Sequence, residues 1–271
     1  LHERVWNIEN GERNRDGSIL TKNASEILIE EKKIHTNIHR DSILTGVQDE
    51  NYNLEKLVDF IESVRVYDQF DTTIKSDIRR GSPYRTEEYL LSDGSNLAPV
   101  LQWIANNKRT EFKLIEESLR KVNSGFEMLS FYSTPSSIAI QISENKLDVS
   151  THASQISDGT LRFLCLMAIF YNPNRGSVIC IDEPELGLHP DMINTLYQAV
   201  KFAAETSQII ISTHSSHLLD YFKLENVRVF EKDENNATIV EQYTEENFQG
   251  WYKQFNPGQM WRAGDIGGKR W

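Results

Sequence analysis

The stretch VICIDEPELGLHP, residues 178–190, places two acids directly after four apolar residues and before a proline. The apolar run and the proline predict a short buried strand that ends at Asp182 and Glu183. Charge beside a buried strand is unfavourable unless it is paired or binds something. In a parallel α/β sheet, ligands bind at the carboxyl ends of the strands, so these acids are candidates for a ligand site. A strand that runs into an ordinary polar turn is the alternative.

From about residue 150, apolar strands alternate with helices on either side of this stretch. Such alternation is typical of a parallel sheet that helices cover on both faces, because parallel strands need helical crossovers. The pattern therefore predicts an α/β fold with a mostly parallel sheet. The predicted helices are 157–171, 191–205 and 214–222, and the predicted strands are 177–181, 208–212, 227–230 and 238–242.

The part of the chain before residue 150 has other patterns, and we divide a single domain, 1–271, accordingly. Residues 1–50 alternate turn sequences with short apolar runs, which is typical of antiparallel strands. Residues 51–125 have helical spacing and are predicted to form a helical insertion. Residues 126–271 are predicted to form the core of the domain.

Three patterns in the helical insertion and its surroundings give specific predictions. Residues 54–63 have helical spacing, whereas the segment from there to about residue 80 is polar and irregular. Asn96 is predicted to cap a short amphipathic helix, and residues 110–122 are predicted to form a second one. Residues 138–142 alternate as in a half-buried strand.

The overall charge argues against one class of function. The chain has 29 Lys and Arg against 40 Asp and Glu, which gives a net charge of -11. General binding of a polyanion needs clustered Lys and Arg, so the composition does not favour it. A local basic groove stays open, and DNA is therefore kept as a candidate partner.

Cysteine and hydropathy patterns indicate the compartment. Cys165 and Cys180 lie in apolar runs and are predicted to be reduced core cysteines of a cytoplasmic protein. The longest apolar stretch, around residues 161–171, is too short to span a bilayer. No membrane association is predicted.

A second polar turn follows the next apolar strand. The stretch IIISTHSSH, residues 209–217, would bring His214 out at the same sheet edge as the two acids if the strands are neighbours. In the alternative interpretation, Ser212 or Thr213 caps the next helix and His214 has no role.

A third stretch, QISDGTLRFLCLMAIF at residues 155–170, precedes the other two stretches in the chain. Ser157 can cap the helix, and Gly159 allows the backbone to approach another group closely. The helix is apolar nearly all round, which predicts a buried and rigid element. Its N-terminus is a candidate anion site, and a simple N-cap is the alternative.

These three pieces in this order resemble the motifs of ABC-type ATPases of the RecF/OLD/SMC-like group. ISDGTLRFL is similar to the signature motif, VICIDEP to Walker B, ELGLHP to the D-loop and STHS to the H-loop. The resemblance implies a P-loop NTPase fold: a mostly parallel sheet flanked by helices, with an antiparallel β region and a helical insertion toward the N-terminus.

The resemblance also implies roles in binding ATP and Mg²⁺. Asp182 would assist Mg²⁺, Glu183 would orient and deprotonate water, and His214 would contact the γ-phosphate. The signature residues would contact ATP held by a second subunit, in a head-to-tail homodimer with ATP in the interface. The D-loop ends at His189, where transporters have Asp. The residues assigned to the signature are Ser157, Asp158, Gly159 and Arg162.

One motif of this family, the P-loop G-x-x-x-x-G-K-[ST], is not found. The nearest match, residues 263–270, has Ala263 at the first glycine and Arg270 at the Ser/Thr position. Either the P-loop segment is not in this chain, or another chain supplies it, or ATP binding has been lost. The first residue, Leu1, favours the first explanation, and the retained acids disfavour the last. This chain alone is expected to be inactive.

The predicted function is an ATPase whose ATP-driven dimerisation drives or gates a partner in DNA maintenance or anti-phage defence. The alternative is a non-catalytic, ATP-clamped scaffold for a separate nuclease or toxin effector. An OLD-type nuclease domain within this chain is not expected, since 57 residues follow His214. The Trp-rich C-terminal stretch is predicted to pack on its own sheet, with partner docking as the alternative.

Overall fold

The computed structural model describes residues 3–9, 12–23, 26–29, 32–34, 52–248 and 255–267. Side chains are described from Lys56 onward within these ranges, except that of Glu245. The chain divides into two compact units, Leu1–Glu62 and Ser63–Trp271.

The first unit contains an antiparallel sheet and one helix. The strands lie in the order β1-β2-β3-β4, and each pairs antiparallel with the next. Antiparallel strands in this part of the chain agree with the prediction from its turn sequences. The elements are β1 (Glu3–Glu9), β2 (Glu12–Asn23), β3 (Glu26–Ile29), β4 (Lys32–Ile34) and α1 (Tyr52–Glu62).

The second unit contains the three motifs. Its strands are β5 (Val64–Tyr67), β6 (Ser82–Pro83), β7 (Phe126–Ser133), β8 (Ser137–Glu144), β9 (Thr151–His152), β10 (Val178–Asp182), β11 (Gln208–Ser212), β12 (Val229–Lys232) and β13 (Thr238–Glu241). Its helices are α2 (Asp77–Arg80), α3 (Leu97–Asn107), α4 (Arg109–Val122), α5 (Asp158–Phe170), α6 (Pro190–Ala203), α7 (Ser216–Leu219) and α8 (Pro257–Ala263).

A parallel sheet of three strands, in the order β11-β10-β5, forms the centre of this unit within the described residues. Strand β10 lies in the middle, as expected for the strand that precedes the two acids. Strand β5 corrects the prediction that the segment up to about residue 80 is irregular. It has four residues with Arg65 among them, so its local pattern is weak, and its pairing with β10 makes it a strand.

The remaining strands form two antiparallel groups. Strands β6, β8 and β7 lie side by side, and β9 adds to β8. Strands β12 and β13 pair with each other in a hairpin. The prediction that they continue the parallel α/β alternation was therefore wrong. Both lie close together in sequence, so a direct antiparallel hairpin replaces a helical crossover.

Helix α5 is the centre of the hydrophobic core. Nine of its residues are buried, from Leu161 and then Phe163 through Phe170. Helices α3, α4 and α6 all contact it. The prediction of a buried helix is confirmed. Such a helix gives the residues at its N-terminus a rigid support.

The two faces of the parallel sheet are covered unequally. Ile179 and Ile181 belong to the same buried cluster as α5 and α6. On the opposite face, the side chains of Val66 and Ile210 are 62% and 49% exposed, and both pair in register with Cys180. Helices therefore cover one face within the described residues. Cys180 is partly exposed for this reason, whereas Cys165 is buried as predicted.

The C-terminal helix α8 packs against α7. A Cβ atom at Gly258 would lie 1.9 Å from the carbonyl oxygen of Ser216, so the contact requires glycine. Trp261 packs against a second, smaller hydrophobic cluster that includes Met260 and Ile266. The prediction was that this stretch packs on its own sheet. Its described part packs on α7 and on this cluster, and Trp251 and Trp271 lie outside the described residues. In the part of the chain described, no helix has the length and apolarity needed to cross a membrane.

Candidate functional site

The two polar turns meet at the carboxyl edge of the parallel sheet. Strands β10 and β11 are neighbours with Asp182 in register with Ser212, as the order of the motifs predicted. The Glu183 backbone N–H donates to the Ser212 carbonyl at 2.9 Å, which extends the pairing by one residue. The hydroxyl of Ser212 donates to the Asp182 carboxylate. The acids and the turn after β11 therefore form one connected structure.

Glu183 has a left-handed backbone conformation, with φ of 41°. A non-glycine residue in this region costs on the order of 1–2 kcal/mol. The conformation is held by the hydrogen bond to Ser212 and by Leu186, whose N–H donates to the Glu183 carbonyl at 3.0 Å. Strained residues of this kind cluster at functional sites.

His214 faces Glu183, with 3.9 Å between His214 Nε2 and Glu183 Oε1. This distance is too long for a direct hydrogen bond, so both side chains keep their hydrogen-bonding groups available for a ligand. The side chain of His214 is 88% exposed and that of Glu183 is 32% exposed. Glu183 and His214 thus lie at one edge of the sheet, and both are accessible to a ligand. Their roles stay predictions.

The turn that carries His214 is not the start of a helix. The prediction of a helix over 214–222 was wrong, since α7 covers Ser216–Leu219 alone. Its cap is Ser215, whose hydroxyl accepts from the Leu218 N–H at 3.2 Å, and not Ser212 or Thr213. Thr213 instead accepts from the Ser215 N–H and donates to Glu185. His214 therefore lies in a loop that side-chain bonds shape on both sides.

The oxygen donors at this edge suit Mg²⁺. Mg²⁺ commonly takes one or two carboxylates and completes its shell with water and substrate phosphates. Asp182 offers an exposed carboxylate, and the Ser212 hydroxyl lies beside it. Within the described ranges, no group of three or more His, Cys, Asp or Glu side chains could hold a metal by itself. The Asp182 carboxylate and the Ser212 hydroxyl thus fit a Mg²⁺ ion whose remaining ligands are water and substrate phosphates.

The turn at residues 185–190, called the D-loop turn after the motif it resembles, links the two acids to α6. Glu185 bonds to Thr213, so this turn also contacts the loop of His214. His189 lies at the N-cap of α6, where its Nδ1 accepts from the Asp191 N–H at 3.3 Å. This contact gives His189 a structural role. A contact between His189 and nucleotide stays a prediction.

The start of α5 at residues 157–162, called the signature turn after the motif it resembles, packs against the D-loop turn of the same chain. Ser157 caps α5, with its hydroxyl accepting from the Thr160 N–H at 3.1 Å. A Cβ atom at Gly159 would lie 2.8 Å from the Gly187 carbonyl oxygen, which explains the glycine. Arg162 donates to the Leu186 carbonyl at 3.4 Å. The predicted close backbone approach is thus made, within the described residues, to the D-loop.

We expect Gly159→Ala to destabilise the intact protein by about 1–3 kcal/mol, the usual cost of overpacking. Alanine favours a helix by itself, so any net loss reports the contact with the Gly187 backbone. Urea denaturation measures it. Gly125→Ala is the control, because the nearest atom there is a movable side-chain oxygen of Asn123. Equal or higher stability of Gly159→Ala would contradict the contact.

One residue at this site, Arg79, was not predicted from the sequence. Its guanidinium pairs with the Asp158 carboxylate at the start of α5. That hydrogen bond is the main cause that holds the pKa of Asp158 below its usual value. Arg79 and Arg80 stand together in a polar stretch without periodicity, so the sequence does not indicate which groups Arg79 contacts.

The chain is similar in sequence to a described domain family and to two curated proteins. A family model described as "AAA domain, putative AbiEii toxin, Type IV TA system" matches residues 19–220, which is most of the chain. The chain is 28% identical over 194 residues to the Old nuclease of Escherichia phage P2, covering 63% of this chain and 33% of that protein. It is 27% identical over 167 residues to the Retron Vc95 probable ATPase of Vibrio cholerae serotype O1 biovar El Tor, covering 52% and 32%.

Among solved structures, an SMC head bound to the C-winged helix domain of ScpA is similar with a TM-score of 0.50. The two are 10% identical, and the match covers 82% of this chain and 65% of that one. This likeness supports the predicted fold class, an α/β P-loop ATPase fold. The chain spans about a third of the length of the two curated relatives.

Proposed function

Because the chain belongs to this AAA domain family, and so to the RecF/OLD-like ATPases, we propose that the intact protein binds and hydrolyses ATP at the carboxyl edge of its parallel sheet. The observation that carries the proposal is the pair Glu183 and His214, 3.9 Å apart, beside Asp182. Two independent strands deliver these three side chains to one edge.

Each of the three side chains has a proposed part in the reaction. Asp182 binds Mg²⁺, and bound Mg²⁺ neutralises charge on the phosphates. Glu183 accepts a proton from the attacking water and orients it. His214 donates to the γ-phosphate. The 3.9 Å gap between Glu183 and His214 supports this division, because neither side chain uses up the other's hydrogen-bonding capacity.

We also propose that ATP is bound between two copies of the protein. The exposed hydroxyl of Ser157 lies at the N-terminus of a rigid helix, where N–H groups favour an anion. In the dimer, Ser157, Asp158, Gly159 and Arg162 contact the γ-phosphate side of the nucleotide bound by the partner. The packing of the signature turn on the D-loop turn then connects the two ATP sites through one chain.

A segment that carries the P-loop is proposed to cover the open face of the parallel sheet. An apolar groove runs along Val66, Cys180 and Ile210 and ends at Asp182 and Ser212. A segment seated there would bring a phosphate-binding loop directly to the acids. The exposed Val66 and Ile210 side chains are what such a segment would bury.

The proposal predicts no ATP hydrolysis by this 271-residue chain alone and robust hydrolysis by the intact protein. The backbone and lysine of a P-loop normally hold the phosphates, so the chain without it binds ATP weakly. Release of phosphate and binding of a fluorescent ATP analogue measure both properties. Turnover by the chain alone would show that its own residues hold the phosphates.

The covering segment is tested by the reactivity of Cys180 in the intact protein. Cys165 is buried and serves as the internal negative control, and Asp191→Cys, at an exposed site, as the positive control. Slow maleimide labelling of Cys180 supports a covered face. Labelling as fast as that of the positive control would contradict it.

The biological role is proposed to be the driving or gating of a partner in DNA maintenance or anti-phage defence. One relative is named a nuclease and the other a retron ATPase, and the family description names a toxin system. A separate nuclease or toxin effector is therefore the proposed partner. A scaffold that clamps around ATP without turnover would bind the same partner, and steady-state hydrolysis by the intact protein separates the two.

A further inference from the structure

Arg79 is a buried charged residue in a four-residue helix. It is 8% exposed, and its neighbour Ile78 is anchored in the core at 1% exposure. Burial of a guanidinium is strongly unfavourable unless hydrogen bonds and an opposite charge compensate it. The partners of Arg79 therefore indicate what the buried charge is used for.

Most of these partners belong to one segment, residues 153–158, which leads into α5. Arg79 Nη1 lies within hydrogen-bonding distance of three carbonyl groups of that segment, and Nη2 donates to the Asp158 carboxylate. Nε donates to the Thr72 carbonyl at 2.7 Å. The Nη1 distances are 3.2 Å to Ala153, 3.3 Å to Ser154 and 2.7 Å to Ile156.

These bonds bracket Ser157 on both sides. Ile156 precedes Ser157 and Asp158 follows it, and both bond to the same guanidinium. A guanidinium is planar and rigid, so groups that bond to it are fixed relative to one another. The Ile156 backbone and the Asp158 side chain, on either side of Ser157, are therefore fixed relative to α2, while the Ser157 side chain stays exposed.

We propose that Arg79 is a positioning residue for the composite ATP site, which holds the signature turn so that Ser157 reaches the nucleotide of the partner subunit. The inference rests on the proposed ATP-bridged dimer. It assigns to Arg79 an effect on the partner's site through the signature turn, since its guanidinium bonds to backbone carbonyls and to the Asp158 carboxylate.

The first test compares Arg79→Ala with Arg80→Ala in the intact protein. Arg80 is adjacent and exposed, so its loss removes the same charge without the bonds to the signature segment. We expect Arg79→Ala to lower ATP hydrolysis at least about tenfold, within the range for loss of a positioning group. Hydrolysis by Arg79→Ala equal to that of the Arg80→Ala control would overturn the proposal.

A mixing experiment separates positioning from a general loss of structure. The Glu183→Gln variant has an unchanged signature turn but lacks the proposed base. The Arg79→Ala variant has both acids, Asp182 and Glu183, but lacks the residue that holds the signature turn. A mixed dimer then has one site built from the intact acids of one subunit and the intact signature turn of the other. Mixed in equal amounts before ATP is added, the two weakly active variants should hydrolyse ATP clearly faster than the sum of their separate rates. The upper limit is about a quarter of the wild-type rate, since with random pairing half the dimers are mixed and each has one intact site.

The controls make each outcome decisive. Arg79→Ala mixed with the double variant Arg79→Ala/Glu183→Gln should recover nothing, because no intact signature is present. If Arg79→Ala does not fold, Arg79→Lys replaces it, since lysine keeps the charge and loses the planar fork. Absence of recovery with a folded Arg79 variant contradicts the inference. If Glu183→Gln alone hydrolyses ATP at near the wild-type rate, the proposed role of Glu183 fails, and this outcome is distinct from a failure of the Arg79 inference.

Discussion

Replacing Glu183 by glutamine in the intact protein is expected to lower ATP hydrolysis by about 10²–10⁴-fold, the usual cost of losing a general base. Glutamine keeps the size of the side chain and can still orient water, but it cannot accept the proton. ATP binding should persist, because Asp182 and the phosphate-binding groups are unchanged. ATP then stays in the interface, and the variant should accumulate as an ATP-dependent dimer.

Phosphate release at saturating ATP measures the first effect, and light scattering with and without ATP measures the second. Glu225→Gln is the matched control, because Glu225 has an exposed side chain in a surface ion pair with Lys223. Its rate should equal that of the wild type. A Glu183→Gln rate within about threefold of wild type would place the base elsewhere, since losses of a general base are larger than this.

The elements that the sequence predicted best are those whose hydrophobic pattern is local. Helix α5 was predicted as 157–171 and is Asp158–Phe170, and the 208–212 strand has the same bounds in the structure. The apolar residues of α5 are buried as their pattern predicts, and Ser157 marks the helix start. The apolar run of the 208–212 strand predicts its bounds, although none of its residues is fully buried. Strand β5 was missed because its strand character comes from a partner more than a hundred residues away.

Asn96 shows how position and role can separate. It was predicted to cap α3, and it does stand directly before Leu97. Its side chain, however, accepts from the Leu91 N–H and donates to the Tyr89 carbonyl, and makes no cap bond within the helix. Asn96 is fully buried, so its amide satisfies the nearest buried backbone groups of the preceding turn.

The part of the candidate site that follows directly from the order of the strands in the sheet was predictable from the sequence. Two strands that are neighbours in a parallel sheet must present their following residues at one edge, which brings Asp182, Glu183 and His214 together. The positive φ of Glu183 and the partners of Arg79 were not predictable. Arg79 bonds to groups 74 to 79 residues away, and no local pattern records such a contact.

Ser157 supports two interpretations that one pair of substitutions can separate. As an N-cap, its hydroxyl accepts from the Thr160 N–H, and Ser157→Ala should cost about 1 kcal/mol of stability through loss of this bond. As part of the composite ATP site, Ser157 must also leave room for the partner's γ-phosphate. Ser157→Arg loses the cap equally and adds a bulky side chain at an exposed position.

Ser157→Arg is therefore expected to prevent ATP-dependent dimerisation and to lower hydrolysis at least about 10²-fold, because misplacement of about 1 Å at a reacting group can have an effect of this size. ATP should still bind to the subunit that carries the P-loop. Placed in the Glu183→Gln protein, Ser157→Arg should abolish the ATP-dependent increase in scattering, whereas Ser157→Ala should largely retain it. If the two substitutions lower hydrolysis and dimerisation equally, Ser157 serves as a helix cap alone, and the signature turn does not contact nucleotide in the partner subunit.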